Sequence, residues 1–238
     1  MNHRAAGEAQ STDLERRDLE APNSPEVLYL ARGDEVAMFA HRPRFTGDVL
    51  RLKNNALVAL VQHPCAMANT TSSRLLVNEV RAQNRTPRWS GGDYKRMPLP
   101  NLIGEGKFAI EFDLVELIDS LTLAEAERVA ILSQLGVNLL LQRWIHHCTR
   151  VVVWTETINA NTSGPAAEAE LAWEMIDEFV DRGWTVEAAV NAVDAWLNLR
   201  VGGKRARRYR EMLLSPQERS SVRAAARRFA RTEPLPGT

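Results

Sequence analysis

Two short stretches set histidine beside cysteine: His63-Pro64-Cys65 and His146-His147-Cys148. Thiols and imidazoles are the ligand types that hold zinc tetrahedrally. The spacing differs from that of a zinc finger, since His-x-Cys stands in place of a Cys-x-x-Cys pair and the second cluster is contiguous. Helical neighbours point about 100° apart, so His147 and Cys148 do not readily converge on one ion. No metal is therefore expected, and His63, Cys65 and His146 are the residues that would hold one. Core packing is the stronger expectation for Cys148. A second chemistry for the same residues is nucleophilic catalysis. Cys65 follows an apolar run, and His63 lies two residues away, on the same side of an extended strand, where it can act as a base. No third, orienting group is visible.

The other chemistry-bearing feature is charge. The chain has 238 residues with 30 basic and 30 acidic side chains, a net charge of zero. Between Arg200 and Arg231, however, eleven Arg and Lys face only Glu211 and Glu218, so this stretch carries +9 and the remainder −9. Lys204, Arg205, Arg207, Arg208 and Arg210 crowd a few residues, and Arg223, Arg227 and Arg231 recur at helical spacing. Such a stripe neutralises phosphates in a salt-dependent way. It can equally dock on carboxylates, such as those of the acidic stretch 167–181 of this chain or of another. Tyr209 can stack on a base or pack. The stretch from Trp89 to Pro100, with Lys95 and Arg96 among aromatic and Gly-rich residues, adds a candidate binding loop. No Gly-rich phosphate loop, paired-carboxylate motif or Ser/His/Asp signature is present, and no cofactor is expected.

The elements that must position these residues fall into two regions. Residues 1–25 read as a polar, disordered leader that ends in Ala21-Pro22-Asn23-Ser24-Pro25. Val27–Leu30 and Val36–Ala40 flank Arg32-Gly33-Asp34 as a hairpin. Strands are expected at Val49–Leu52, Ala56–Val61, Leu75–Val80, Tyr94–Leu99 and Phe108–Ile118, the last with a clear period of two. Thr122-Leu-Ala-Glu125 has capping-box form and predicts a helix through Leu132. Val137, Leu140, Leu141, Trp144, Ile145 and Cys148 predict an amphipathic helix. Val151–Trp154 reads as a short β run closed by a polar loop over 159–165. Helices follow at 167–180 and 185–199, then two basic helices after Gly202-Gly203, the second opened by Ser215-Pro216-Gln217-Glu218. Strands before helices make the fold class α+β, with a β-rich core at 26–154 and a helical region with a basic tail at 155–238. No apolar run reaches the length that spans a bilayer and no signal peptide is visible, so a cytoplasmic location with free thiols is expected.

Phe45-Thr-Gly-Asp-Val49, Ala56-Leu-Val-Ala-Leu-Val-Gln62, Leu75–Val80, Phe112–Ile118 and Leu132-Ser-Gln-Leu135 together resemble the layout of PemK/MazF-type toxins over roughly residues 45–148. The resemblance implies an SH3-like barrel, a bacterial toxin–antitoxin or phage-defence setting, and RNA as the partner. The positions where that family carries an arginine before the buried strand and a Thr or Ser at the end of the next hold Asn54-Asn55 and Val77-Asn78-Glu79, so its ribonuclease residues are not matched. Three functions stand on the sequence. The first is a nucleic-acid-associated barrel protein. The second is a non-catalytic adaptor or assembly subunit, a homo-oligomer being one form of it, whose basic tail docks an acidic protein surface. The third is a thiol- or metal-dependent enzyme at His63, Cys65 and His146.

Overall fold

The computed structural model describes residues 19–64, 67, 74–85, 88–89, 94–203 and 206–234. The chain forms two compact units, one of residues 1–36 and 46–159, the other of 37–45 and 160–238. The class is α+β, an antiparallel sheet followed by helices. Among the described residues, no helix is long and apolar enough to cross a membrane.

The first unit is built on β1 (Tyr29–Arg32), β2 (Asp48–Arg51), β3 (Leu57–Leu60), β4 (Arg74–Ala82), β5 (Arg96–Pro100), β6 (Lys107–Asp119) and β7 (Glu127–Leu132). They form one antiparallel sheet in the order β1-β7-β2-β3-β4-β6-β5, curled into a half-barrel. Its edges meet through side chains rather than a ladder. The Tyr29 hydroxyl of edge strand β1 donates to the Pro100 carbonyl of edge strand β5 at 3.0 Å, and Arg32 donates to the Asn101 carbonyl at 3.0 Å. Burial pushes the Tyr29 phenol well above its ordinary range.

Helix α1 (Ser120–Ala124) is only five residues long, capped by Asp119 on the Leu121 amide. The capping-box helix expected through Leu132 is thus corrected: the chain turns back and becomes β7. Val129, Ala130, Ile131 and Leu132 are all buried there, between β1 and β2. Helix α2 (Gln134–Thr149) starts at Ser133, whose hydroxyl accepts from Gly136 N. Glycine is required at 136, because a Cβ there would lie 2.3 Å from the Leu28 carbonyl oxygen. Val137, Leu140 and Leu141 are buried as the stripe predicts, but Cys148 is a free, exposed thiol, and Arg143 and His146 are buried in its stead. The expected hairpin at 27–40 is also corrected, since a 3-10 helix over Gly33–Phe39 follows β1.

Helix α3 (Thr155–Asp181) runs through the segment read as a polar loop at 159–165, and includes Pro165. No β element forms at 151–154. The side chain of Glu20, inside the segment expected to be a disordered leader, accepts from Thr155 N at 2.8 Å, Thr155 Oγ1 at 2.5 Å and Gln142 Nε2 at 3.0 Å. A carboxylate at a helix N-terminus satisfies orphan amides and complements the helix dipole. Residues 1–18 of that leader lie outside the described residues.

The second unit contains the rest of α3, α4 (Val186–Asn198), the ribbon β8 (Arg200–Val201) and β9 (Arg207–Arg208), α5 (Tyr209–Leu213) and α6 (Arg219–Thr232). Its core gathers Leu171, Ile176 and Phe179 of α3, Val193 and Trp196 of α4, Leu213 of α5 and Val222, Ala226 and Ala230 of α6. The segment 37–45 joins it through Phe39, whose ring lies tilted at 38° with its centroid 4.7 Å from that of Trp173, and His41, 2.9 Å from Asp177.

Candidate nucleic-acid interface

The basic tail is folded. Thr185 caps α4 by accepting from Ala188 N at 3.2 Å, and Leu199 ends it in extended geometry. The chain then forms a two-stranded ribbon in which Arg200 pairs with Arg208 and Val201 with Arg207. The Glu211 carboxylate closes the turn into α5 by accepting from Arg208 N at 3.0 Å. Tyr209 packs: its ring stacks on Trp196 at 4.1 Å and 11°. The second basic helix opens at Glu218, after a turn in which Glu218 N donates to Ser215 O at 3.0 Å, so Ser215 is one turn too early to cap it.

On α6, Val222, Ala226 and Ala230 recur every four residues and are buried, which fixes Arg223, Arg227 and Arg231 as a neighbouring stripe. The basic residues divide into two sets. Arg223 reaches Glu170 at 2.8 Å and Glu174 at 3.5 Å. Arg210 reaches Asp194 at 3.0 Å and Glu168 at 3.2 Å, and Arg207 reaches Glu218 at 2.7 Å. These cations clamp the tail to the acidic helix α3 and to itself. Burial, opposed by Arg210 and reinforced by Asp194, pushes the Glu168 carboxyl above its ordinary range.

The second set is Arg200, Arg227, Arg228 and Arg231. All four are exposed, and none forms an ion pair among the described residues. Arg227 and Arg231 border a groove of about 180 Å³ with Glu174, Glu178, Leu171 and Met175. Lys204 and Arg205 lie outside the described residues. The register sets Arg200 directly opposite Arg208, a like-charge pair that the Glu211 carboxylate, 3.9 Å from Arg208 Nε, shields from one side only.

In the first unit, Lys95 and Arg96 are engaged in ion pairs. Lys95 reaches Asp113 at 3.0 Å, and Arg96 Nε grips both oxygens of the buried Glu111 at 2.8 and 2.9 Å. They flank a bulge in which one residue of β4, Glu79, faces Glu111–Leu114 of β6. Sequence reasoning did not single out Asn78, whose amide fills that bulge by donating to the carbonyls of Glu111, Phe112 and Leu114. It also missed Asp48–Arg128, a buried ion pair at 2.9 Å.

His63 is exposed, and the partial cover it has lowers its pKa. Cys65 lies outside the described residues, so the dyad has no described geometry. His146 is buried on α2 with its ring 4.6 Å from Tyr94 and its Nδ1 without a hydrogen bond. Burial, helped by Arg150, Arg143 and His147, lowers its pKa. Among the described residues, no group of three or more His, Cys, Asp and Glu side chains gathers to hold a metal ion. No known family model matches the chain, and neither does any curated protein sequence or solved structure.

Proposed function

We propose that this is a nucleic-acid-associated α+β protein whose phosphate-contacting groups are the Arg200–Arg208 ribbon and the outward cations of α6, Arg227, Arg228 and Arg231. The observation that carries the reading is the facing of Arg200 and Arg208 across the ribbon. A phosphate between them would accept charge-assisted hydrogen bonds from both guanidiniums, drawing Arg208 from its long 3.9 Å contact with Glu211. Five cations fall within residues 200–208, and of these Arg207 has Glu218 and Arg208 has Glu211 as a partner, while Arg200 has none among the described residues. The curled antiparallel sheet of the first unit supports kinship with the SH3-like barrels of PemK/MazF-type toxins, and with it a setting in bacterial toxin–antitoxin or phage-defence systems. In this reading the tail binds and carries no chemistry.

The test is retention on heparin and on single-stranded RNA. Truncation at Leu199 is unsuitable, because it removes Leu213, Val222, Ala226 and Ala230 from the core. Substitution of Arg200, Arg227 and Arg228 by alanine spares that core and is expected to abolish retention; unchanged retention would refute the proposal.

The adaptor reading is favoured by one observation, the span of Arg223 across Glu170 and Glu174, which is a basic helix recognising an acidic one. The outward cations would then meet a partner's carboxylates. Competition separates the two: polyglutamate that displaces RNA only at large excess favours nucleic acid, and tight polyglutamate binding without RNA binding favours the adaptor.

A further inference from the structure

The first unit carries a groove of about 430 Å³ along the outer side of β5, bordered by Pro22, Pro25, Pro98, Pro100, Trp89 and Phe108. From this groove we infer a second binding site, independent of the basic tail, for an uncharged proline-rich segment of a partner protein in the polyproline II conformation.

The first reason is what this edge cannot do. Phe112 N donates to Lys95 O at 2.8 Å, and Arg96 pairs with Glu111, Pro98 with Ala109 and Pro100 with Lys107. Lys95, Met97 and Leu99 therefore aim their main-chain groups at β6, and Arg96, Pro98 and Pro100 aim theirs outward. Proline has no N–H, so two of the three outward positions lack a donor. The Pro100 carbonyl is already taken by the Tyr29 hydroxyl. An incoming β-strand finds no ladder here.

The second reason is what the groove offers. A polyproline II chain makes no internal hydrogen bonds and presents rigid pyrrolidine rings and solvated carbonyls. It docks on aromatic-lined grooves at low entropic cost. Trp89 and Phe108 supply apolar faces. Trp89 is held in place by Arg143, whose guanidinium lies 4.8 Å from the indole and donates to the Trp89 carbonyl at 2.6 Å. Trp89, Asn23 and Asn101 border the groove and carry an indole N–H and two side-chain amides that can donate to the ligand's carbonyls.

The third reason is charge. Among the described residues, Glu105 and Lys107 are the only charged ones that border the groove, and they cancel. The neighbouring groove of about 880 Å³ holds Arg32, Arg51 and Arg128 against Asp34, Glu105 and Glu127. A neutral segment complements the first groove, and a polyanion does not.

The experiment is titration of the full chain with acetylated, amidated decaproline, followed by tryptophan fluorescence and calorimetry. Saturable binding is expected. Phe108→Ala should weaken it at least tenfold and Asn23→Ala several-fold, with thermal melts confirming that each variant is folded. A glycine–serine peptide of equal length should not bind. Absence of saturation at millimolar decaproline would overturn the inference, as would equal binding of the glycine–serine peptide. If Phe108→Ala does not fold, Asn23→Ala decides, and binding unchanged in that variant overturns the site.

Discussion

The side-chain amide of Asn78 donates to the main-chain carbonyl of Glu111 across 3.0 Å, inside the bulge between β4 and β6, with the Phe112 and Leu114 carbonyls at 3.3 and 3.4 Å. A bulge strands backbone acceptors, and buried acceptors must find donors. Asn78 is fully buried and supplies them. Asn78→Leu keeps the branched shape and removes the donors. It should destabilise the protein by about 2–4 kcal/mol in denaturant titration, through carbonyls left dry.

Asp48 and Arg128 form a buried pair at 2.9 Å, their side chains 0% and 6% exposed. Removal of one partner leaves an uncompensated charge in the core. Asp48→Ala or Arg128→Ala should each cost about 3–5 kcal/mol, whereas Asp48→Val combined with Arg128→Leu should cost less than either single change. A double-mutant cycle of unfolding free energies checks this.

Glu20 holds the start of α3 through three hydrogen bonds to Thr155 and Gln142. Glu20→Ala should destabilise by about 1–2 kcal/mol, on the scale of a lost helix cap. Amide exchange should quicken at Thr155 and its neighbours and stay unchanged in α6.

His146 has its pKa lowered by burial first and by Arg150, Arg143 and His147 next. The unfolded chain therefore binds the proton more readily than the native one. Stability from neutral His146 is present above the ordinary histidine range and is lost as pH falls through that range toward the lower folded value. Thermal melts should show a decline in stability from pH 7 to pH 5 that His146→Phe flattens. An equal decline in the variant would assign it to other groups.

The strands β2 to β6 were legible in the sequence because runs such as Leu57–Leu60 and the alternation from Phe108 onward follow the pleat. β7 was not. Thr122 and Glu125 mimic a capping box, and the burial of Val129–Leu132 between β1 and β2 outweighs that local signal. Long-range packing also explains α3. Gly164-Pro165 reads as a breaker, yet glycine at 164 is what lets Leu214 approach, since a Cβ there would lie 2.8 Å from Leu214 Cδ2. At the candidate interface, the cations themselves were visible from composition, but their division was not. Arg210 and Arg223 are spent on Glu168, Glu170 and Glu174, residues 42 to 53 positions away in the chain, while Arg227 and Arg228 face outward. The ribbon, with strands of two residues each, is too short to leave a periodic signal.

The outward cations, and not those clamped to α3, are proposed to contact phosphate. The salt dependence of RNA binding tests it most directly. For a single strand, each lost phosphate contact should lower the slope of log affinity against log salt by about 0.7. Arg200→Ala, Arg227→Ala and Arg228→Ala are expected to lower the slope cumulatively. Arg223→Ala, which breaks a clamp, should lower thermal stability and leave the slope as it is in the folded protein. A slope unmoved by the three outward substitutions, or moved only by Arg223→Ala, would contradict the account.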